Sequence, residues 1–293
     1  MMAPEYYTFT GRDGEVISQH ITHVLIDKAL KFVAARAFYR HPNIEEVICH
    51  DGVEKIAEEA IYECPSLRRV IMPGVKEIEC YAFYGCKALS YIECGKLEII
   101  REWAFNLCQS LRSIDLPSIK IVERSAFACC SNLINVYFGK ELETLDYGAF
   151  RFCISLERIA LPLKDGLITS DGIFQMCVKL NNVDLVGGVD ETVTALLMEE
   201  WQTDMNEEID SINQILLSTS AGTNRYLATG GKAQAIRAWI TTLLRKIIYY
   251  KAEHRSCLNE ATTALKSSLP NDILFKNILP FVELPSYTFE GED

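Results

Sequence analysis

The sequence has few features of an exported, membrane-bound or nucleic-acid-binding protein. Residues 1–18 contain no continuous apolar stretch of the signal-peptide type, no later run is long enough to span a membrane, and no Asn-x-Ser/Thr glycosylation site occurs. Basic residues are also scarce, because 29 Lys and Arg against 40 Asp and Glu give a net charge of -11. A nucleic-acid-binding surface would need a basic excess. We therefore expect a cytoplasmic or nuclear protein that binds neither membranes nor nucleic acids.

The sequence also lacks the motifs of common catalytic and metal sites. It has no Cys-x-x-Cys pair, and His20 and His23 have no further ligands at suitable spacing. Gly230-Gly231-Lys232 lacks the preceding strand and the glycine spacing of a phosphate-binding loop, and no Gly-x-Ser-x-Gly nucleophile motif occurs. We therefore predict a non-enzymatic protein with no catalytic residue, no cofactor and no metal.

Cysteine is abundant, and six of the eleven cysteines recur in register with apolar residues. The six are separated by 22, 22, 22, 23 and 24 residues: Cys64, Cys86, Cys108, Cys130, Cys153 and Cys177. Phe or Ile lies three residues before each, Leu three residues after, and Val or Ile six residues after. An earlier copy, beginning near Ile21, has Phe38, His41, Ile44 and Val47 in these positions. Because one such unit cannot bury its own apolar face, seven copies predict a solenoid of stacked units.

Each unit divides into a strand and a returning segment. The stretch 111–116 alternates apolar and polar residues as a half-buried strand does, and Pro117 then predicts a turn. A second short segment, such as residues 75–78, then returns the chain. In the Ala-Phe-x-x-Cys piece, Ala82, Phe83 and Cys86 fall at helical spacing and are expected to face inward. The cysteines suit a repeated slot for a small buried apolar side chain, although disulfides between adjacent units are also geometrically conceivable.

The repeated unit resembles the BspA-like leucine-rich repeat family. The pattern A-F-x-x-C-x-x-L-x-x-I-x-L-P, as in residues 104–117, carries this resemblance over about residues 21–187. The resemblance implies an α/β solenoid, built as a right-handed stack with parallel strands, and a role in protein recognition. The units at the ends depart from the pattern, as expected where a stack is capped. His41 replaces the first Cys, Ile61 replaces the second Phe, and the last unit reads Gly172-Ile173-Phe174.

The 22-residue pattern stops after Gly187-Gly188. Apolar residues at helical spacing then predict two long helices, forming an all-α antiparallel hairpin or coiled coil over residues 188–268. Residues 190–217 hold eight acidic and no basic side chains, whereas residues 232–266 hold seven basic and two acidic ones, which favours pairing of the two helices. The hairpin could close the solenoid or mediate self-association. Residues 1–20 are assigned as an N-terminal cap, and residues 269–293 as a short helix with an acidic tail.

The outward positions of the strands provide a candidate binding surface. Two outward side chains per strand should form columns along the concave face of the solenoid. The residues predicted to contact a protein partner are Arg69, Ile71, Tyr91, Glu93, Asp115, Asn135, Tyr137 and Arg158. Tyrosine and arginine are enriched among the residues that dominate binding energies. The sequence therefore predicts an interaction scaffold that recognises a protein partner.

Two alternatives remain open. Residues 269–279 look like the opening of an F-box, which would make the chain a ubiquitin-ligase substrate adaptor; only part of the motif is present, and Pro280 would interrupt its helix. The basic segment from Arg237 to Arg255 could instead be a nucleic-acid or calmodulin-type target. The acidic helix expected beside it argues against that interpretation.

Overall fold

The computed structural model describes residues 5–12, 14–219 and 231–266. Within these residues, fifteen strands are followed by three helices. The strands lie on two sides of the solenoid. The nine strands of the first side are β1 (Tyr6–Phe9), β2 (His23–Ile26), β4 (Glu46–Ile48), β6 (Arg69–Ile71), β8 (Tyr91–Glu93), β10 (Ser113–Leu116), β12 (Asn135–Phe138), β14 (Arg158–Pro162) and β15 (Asn182–Val186). The six strands of the second side are two residues long: β3 (Phe32–Val33), β5 (Lys55–Ile56), β7 (Glu77–Ile78), β9 (Ile99–Ile100), β11 (Ile121–Val122) and β13 (Thr144–Leu145).

The strands stack in parallel, with each unit in register with the next. In β10 and β12, for example, Ile114 lies opposite Val136 and Asp115 opposite Tyr137. The second side forms one sheet in the order β13-β11-β9-β7-β5-β3, while the first side divides into two sheets, β1-β2-β4-β6-β8 and β10-β12-β14-β15. The predicted parallel-stranded solenoid is confirmed.

A column of stacked phenylalanine rings runs through the core. Phe83, Phe105, Phe127 and Phe150 stack with centroid separations of 5.0, 5.2 and 5.4 Å and interplanar angles of 6° or less. Phe174 continues the column at 5.9 Å. These separations follow from the roughly 4.8 Å spacing of neighbouring strands. The repeated Phe therefore places one ring in each unit directly above the ring of the unit before.

The Ala-Phe-x-x-Cys segments are turns and not helical turns, although their apolar side chains point inward as predicted. Residues 14–188, which the structure describes without a gap, contain no helix. The residues two before and two after the Phe position have positive φ in most units, as at Trp103 (60°) and Leu107 (64°). Their amides donate to the next unit, with Trp103 N bonding to Arg124 O at 3.1 Å and Leu107 N to Ala128 O at 3.0 Å. A left-handed backbone conformation costs a non-glycine residue about 1 kcal/mol, and these hydrogen bonds between units offset that cost.

The N-terminal end is closed by β1 and by a loop that the Glu15 carboxylate holds in place. Strand β1 pairs with β2, and the Phe9 ring lies 4.9 Å from that of Phe38. The Glu15 carboxylate accepts hydrogen bonds from the Tyr7 hydroxyl at 2.7 Å, from the Thr10 hydroxyl at 2.8 Å, and from the amides of Thr10 and Arg12. Partial burial opposes ionisation of Glu15, but these donors lower its pKa to about 2.

Replacing Glu15 by Gln should therefore destabilise the protein in a pH-dependent way. Because the pKa is lower in the folded than in the unfolded state, the carboxylate stabilises the fold above about pH 4.5, and this contribution disappears as the pH falls towards 2. We expect a loss of about 2 kcal/mol at pH 7, after allowance for solvent screening. Denaturant titrations of both proteins between pH 7 and pH 2.5 measure the difference, with exposed Glu141→Gln as control. A loss of stability that is equally large at pH 7 and pH 2.5 would contradict this role of the Glu15 carboxylate.

The helices α1 (Val189–Thr194), α2 (Glu199–Thr219) and α3 (Gly231–Lys266) follow the last strand. The last two pack antiparallel, because Trp201 near the start of α2 stacks on Tyr250 at 5.5 Å, whereas Glu208 further along α2 accepts a bond from Trp239 Nε1 at 2.8 Å. Lys246 joins the oppositely charged helices, lying 3.0 Å from Asp204 and 2.9 Å from Glu208. The predicted helical pairing is thus present, with charge attraction at this point.

The two long helices cover the C-terminal end of the solenoid. Asn213 Oδ1 accepts a hydrogen bond from the Val183 amide of β15 at 3.1 Å. The buried Lys232 ammonium donates to the carbonyl oxygens of Leu180 and Val178, and burial lowers its pKa to about 8. Arg237 bonds to Ile168 O at 3.0 Å and pairs with Asp171 at 2.9 Å. These contacts supply partners for backbone groups where the stack of units ends.

The proposed division into an N-terminal cap at 1–20, repeats at 21–187, a hairpin at 188–268 and a terminal segment at 269–293 stays a prediction. Strand β1 lies inside the first of these ranges and extends the repeat sheet. The short helix and acidic tail assigned to 269–293 lie outside the described residues. The coiled-coil interpretation of α2 and α3 also stays a prediction.

Candidate protein-interaction surface

The outward side chains of the first-side strands form a surface that we call the strand face. It comprises the eight residues predicted to contact a partner, together with outward neighbours on the same strands. The backbone register places Arg69 beside Tyr91 and Ile71 beside Glu93. On the following strands, it places Asp115 beside Tyr137 and Asn135 beside Arg158. The predicted residues are therefore brought together in two groups.

The first group is organised around the Arg69 guanidinium. It lies 5.0 Å from the centre of the Tyr91 ring and 3.3 Å from the Glu46 carboxylate. The Tyr91 hydroxyl in turn donates to Glu93 at 3.3 Å. The Tyr91 side chain is 48% exposed, so the cation and the aromatic ring are held in place while both remain accessible. Ile71, the next outward residue of β6, is half-buried.

The second group contains Tyr137, which is 36% exposed, and Arg158, which pairs with Asp184 on β15 at 3.2 Å. Asp115 is exposed and Asn135 half-buried. Alternation along β4 and β14 also predicts outward side chains at Glu46 and Ala160, but both residues are buried. Glu46 is buried beneath Arg69 and the Tyr6 hydroxyl, which donates to it at 2.5 Å, and Ala160 is also buried.

A seam separates the two groups. Strands β8 and β10 belong to different sheets, and Ile92, whose equivalents in other units are buried, is half-buried here. The Cys94 thiol bridges the seam only weakly, at 3.9 Å from Asp115 O. The Leu and Ile columns do not predict this interruption, because both units keep them; the one departure is Cys94, in a slot that holds Leu116 in the next unit.

An aromatic strip lies on the turn side and was missed by reasoning from the sequence. The rings of Tyr39, Tyr62 and Tyr84 stack at 5.0 Å each, Tyr81 lies 5.9 Å from Tyr84, and Trp103 lies 6.3 Å from Tyr81. We call these five residues the aromatic strip. The signal was available, because the residue after the Phe position is Tyr in three successive units. The column stops at Asn106, and so it does not stand out among columns that run through all copies.

The repeated cysteines form a ladder of thiol donors. Each Sγ donates to the backbone carbonyl of the Phe or Ile in the unit before, as from Cys108 to Phe83 O at 3.3 Å and from Cys153 to Phe127 O at 3.1 Å. His41, in the first unit, keeps a donor in this slot, because its Nε2–H bonds to Ser18 O at 3.1 Å. Burial raises the pKa of the Cys64 and Cys177 thiols to about 12. The slot therefore selects a small side chain that can also donate a weak hydrogen bond.

All eleven cysteines lie within the described residues, and all are free thiols, including the adjacent Cys129 and Cys130. Among the described residues, no group of three His, Cys, Asp or Glu side chains could hold a metal ion. In the same residues, no helix is long and apolar enough to cross a membrane.

Comparison with known families matches the BspA type leucine rich repeat region, in 6 copies, to residues 17–96 and 76–196. These ranges together span more than half of the chain. The chain belongs to the BspA-type leucine-rich repeat family. Proteins built from leucine-rich repeats generally mediate protein–protein interaction, and the family is generally a non-enzymatic binding scaffold.

Solved structures of bacterial leucine-rich repeat proteins are similar in sequence to part of the chain. A leucine-rich repeat protein from Bacteroides ovatus is 28% identical over 48% of this chain, with a TM-score of 0.46. The chain covers only 37% of that protein's length. A leucine rich repeat protein of T. pallidum is 31% identical over 50% of this chain and 74% of its own, with a TM-score of 0.45. No curated protein shows a significant match.

Proposed function

We propose that the chain is a non-enzymatic interaction scaffold that recognises a protein partner through the strand face. The observation that supports this most directly is the Arg69–Tyr91–Glu93 cluster, in which two neighbouring strands hold an exposed ring against a guanidinium. A rigid surface loses little conformational entropy when a partner binds. Tyr137 and Arg158 add a second exposed aromatic ring and a second guanidinium further along the strand face.

The helices contribute differently in this proposal. Because α2 and α3 cover the last unit, they leave the strand face open and keep the end of the stack from pairing with other chains. Arg237 and Lys246 are engaged with Asp171, Asp204 and Glu208, which weakens the interpretation of this segment as a basic target helix. Self-association through these helices stays a prediction. The adaptor alternative depends on residues 269–279, outside the described residues.

Affinity purification with strand-face variants tests the proposal. The charge-reversal pair Arg69→Glu/Arg158→Glu should release partners that copurify with the unmodified chain. Because Arg69→Glu would lie beside Glu46, the uncharged pair Tyr91→Ser/Tyr137→Ser is the second arm. Loss of two such side chains should weaken binding at least about 30-fold, as expected for residues contributing about 2 kcal/mol or more.

The matched control for charge is Arg245→Glu/Arg255→Glu, which reverses two exposed arginines on α3. We expect this variant to keep its partners. If both strand-face variants keep every partner at unchanged thermal stability, the strand face is not the surface that binds the partner. Selective loss in the α3 variant would instead favour a partner bound by the basic helix.

A further inference from the structure

The aromatic strip carries two different arrangements of charge along its length. At the upstream end, the chain provides its own cations: the Arg40 guanidinium lies 5.2 Å from the centre of the Tyr39 ring and 5.8 Å from that of Tyr62. It also pairs with Glu63 at 2.7 Å. Arg36 repeats the pattern, lying 5.6 Å from the Tyr39 ring and 2.5 Å from the Glu59 carboxylate. Each arginine thus occupies a site made of one or two aromatic rings and a carboxylate on the next unit.

The downstream end has the rings and the carboxylates without a cation paired to them. Lys55 and Arg101 line the same concavity as Glu58, but Lys55 pairs with Glu77 and Glu79, and Arg101 with Glu77 and Glu123. Tyr81 and Trp103 stack with an interplanar angle of 7°. Glu58 and Glu102 are exposed and occupy the position next to the strip in the second and fourth units. In the part of the chain that the structure describes, neither carboxylate forms an ion pair, and no Lys or Arg lies over the Tyr81, Tyr84 or Trp103 ring.

The carboxylates of Glu58 and Glu102 act together on this end of the strip. Partial burial raises the pKa of the Tyr81 hydroxyl, and the charges of Glu102 and Glu58 raise it further. Between these two units, burial and then Glu123, Glu102 and Glu58 raise the pKa of the Cys80 thiol. Both carboxylates therefore act on the same patch of surface, where a cation would be stabilised by charge and by the aromatic rings.

We propose that the downstream end of the strip, formed by Tyr81, Trp103, Glu58 and Glu102, binds an arginine- or lysine-bearing segment of a partner protein. The bound cation contacts these rings and carboxylates in the same way that Arg36 and Arg40 contact theirs at the upstream end. Charge complementarity selects this occupant, because the chain fills equivalent sites with its own arginines. The site uses no residue of the strand face, and so it does not depend on that face being an interface.

The probe is a blocked tetra-arginine peptide, compared with the peptide in which every arginine is citrulline, a neutral side chain of nearly the same shape. Binding to the full chain is measured by isothermal titration calorimetry at about 0.05 M salt, where surface charge is weakly screened. Glu58→Gln/Glu102→Gln should weaken binding at least about tenfold. Trp103→Asn should do the same, and Asn tolerates the φ of 60° at this position.

The control Glu141→Gln/Glu143→Gln removes the same charge from exposed positions of another unit, and its affinity should change less than about twofold. Equal weakening by both glutamate pairs would overturn the proposal, because it would show general attraction to a chain of net charge -11. Equal binding of the citrulline peptide would also overturn it, as would unchanged affinity in Trp103→Asn. Circular dichroism of each variant confirms that a lost affinity is not lost structure.

Discussion

Replacing Phe127 by alanine is expected to lower the free energy of unfolding by about 3–5 kcal/mol, the range for removing a buried aromatic side chain. Phe127 is fully buried, with Phe105 at 5.2 Å on one side and Phe150 at 5.4 Å on the other. Because the rings are nearly parallel, a neighbour cannot fill the gap without leaving its own stack. The loss is a large part of the stability of an ordinary domain, roughly 5–15 kcal/mol.

The position of Phe127 in the middle of the stack makes this effect larger than the volume alone suggests. In a solenoid, each unit contacts only its neighbours, so that a weakened interface separates the units on either side. The amides of Phe105 and Phe127 bond to Ala126 O and Ala149 O in the next unit, both at 2.8 Å. We expect these amides to lose hydrogen-exchange protection first.

Denaturant titration with two control variants measures the effect. Phe127→Leu keeps most of the buried apolar volume and should cost about 1–2 kcal/mol. Phe32→Ala changes a ring that is 55% exposed and should cost less than about 0.5 kcal/mol. If Phe127→Ala costs no more than Phe32→Ala, the ring column does not hold the units together.

The columns that recur in every unit predicted a large part of the core. The Phe, Cys, Leu and Val/Ile positions of the units are buried almost throughout, because a repeated apolar residue in a stack contacts its own copies. Half-buried Ile92 at the seam is an exception. The spacing of Ala82, Phe83 and Cys86 correctly predicted that they face inward. It did not reveal the backbone, since helical turns and paired left-handed turns place these three side chains on the same face.

Features that occur once could not be predicted in this way. Lys232, Asn213 and Arg237 each satisfy a particular backbone group at the last unit, and no repeat marks them. Glu15 is likewise a single carboxylate whose donors become neighbours only after the loop has closed. The residues of the strand face could be located by alternation along the strands, but burial of Glu46 and Ala160 depends on neighbours from other strands.

The thiols provide the second large expected effect. Treating the folded protein with excess iodoacetamide at pH 8 should modify at most three of its eleven cysteines, and unfolding it should allow modification of all eleven. The three are the half-buried Cys80, Cys129 and Cys257. For a thiol whose pKa is about 12, as for Cys64, the reactive thiolate is about one part in ten thousand at pH 8. An ordinary thiol of pKa 9.0 would have roughly one part in ten. The difference is about a thousandfold before steric protection is counted.

Intact-mass spectrometry with peptide mapping counts and locates the modified residues. Modification of a ladder cysteine such as Cys108 in the folded protein, at a rate similar to that of Cys129, would contradict the buried donor role.

The Phe127→Ala variant connects the two predictions. The Cys153 thiol donates to Phe127 O at 3.1 Å, so the cavity that loosens this unit should accelerate modification of Cys153. Cys64, which donates to Phe38 O at 3.0 Å far from the cavity, should stay protected. Equal acceleration at both positions would mean that the solenoid opens as a whole and not unit by unit.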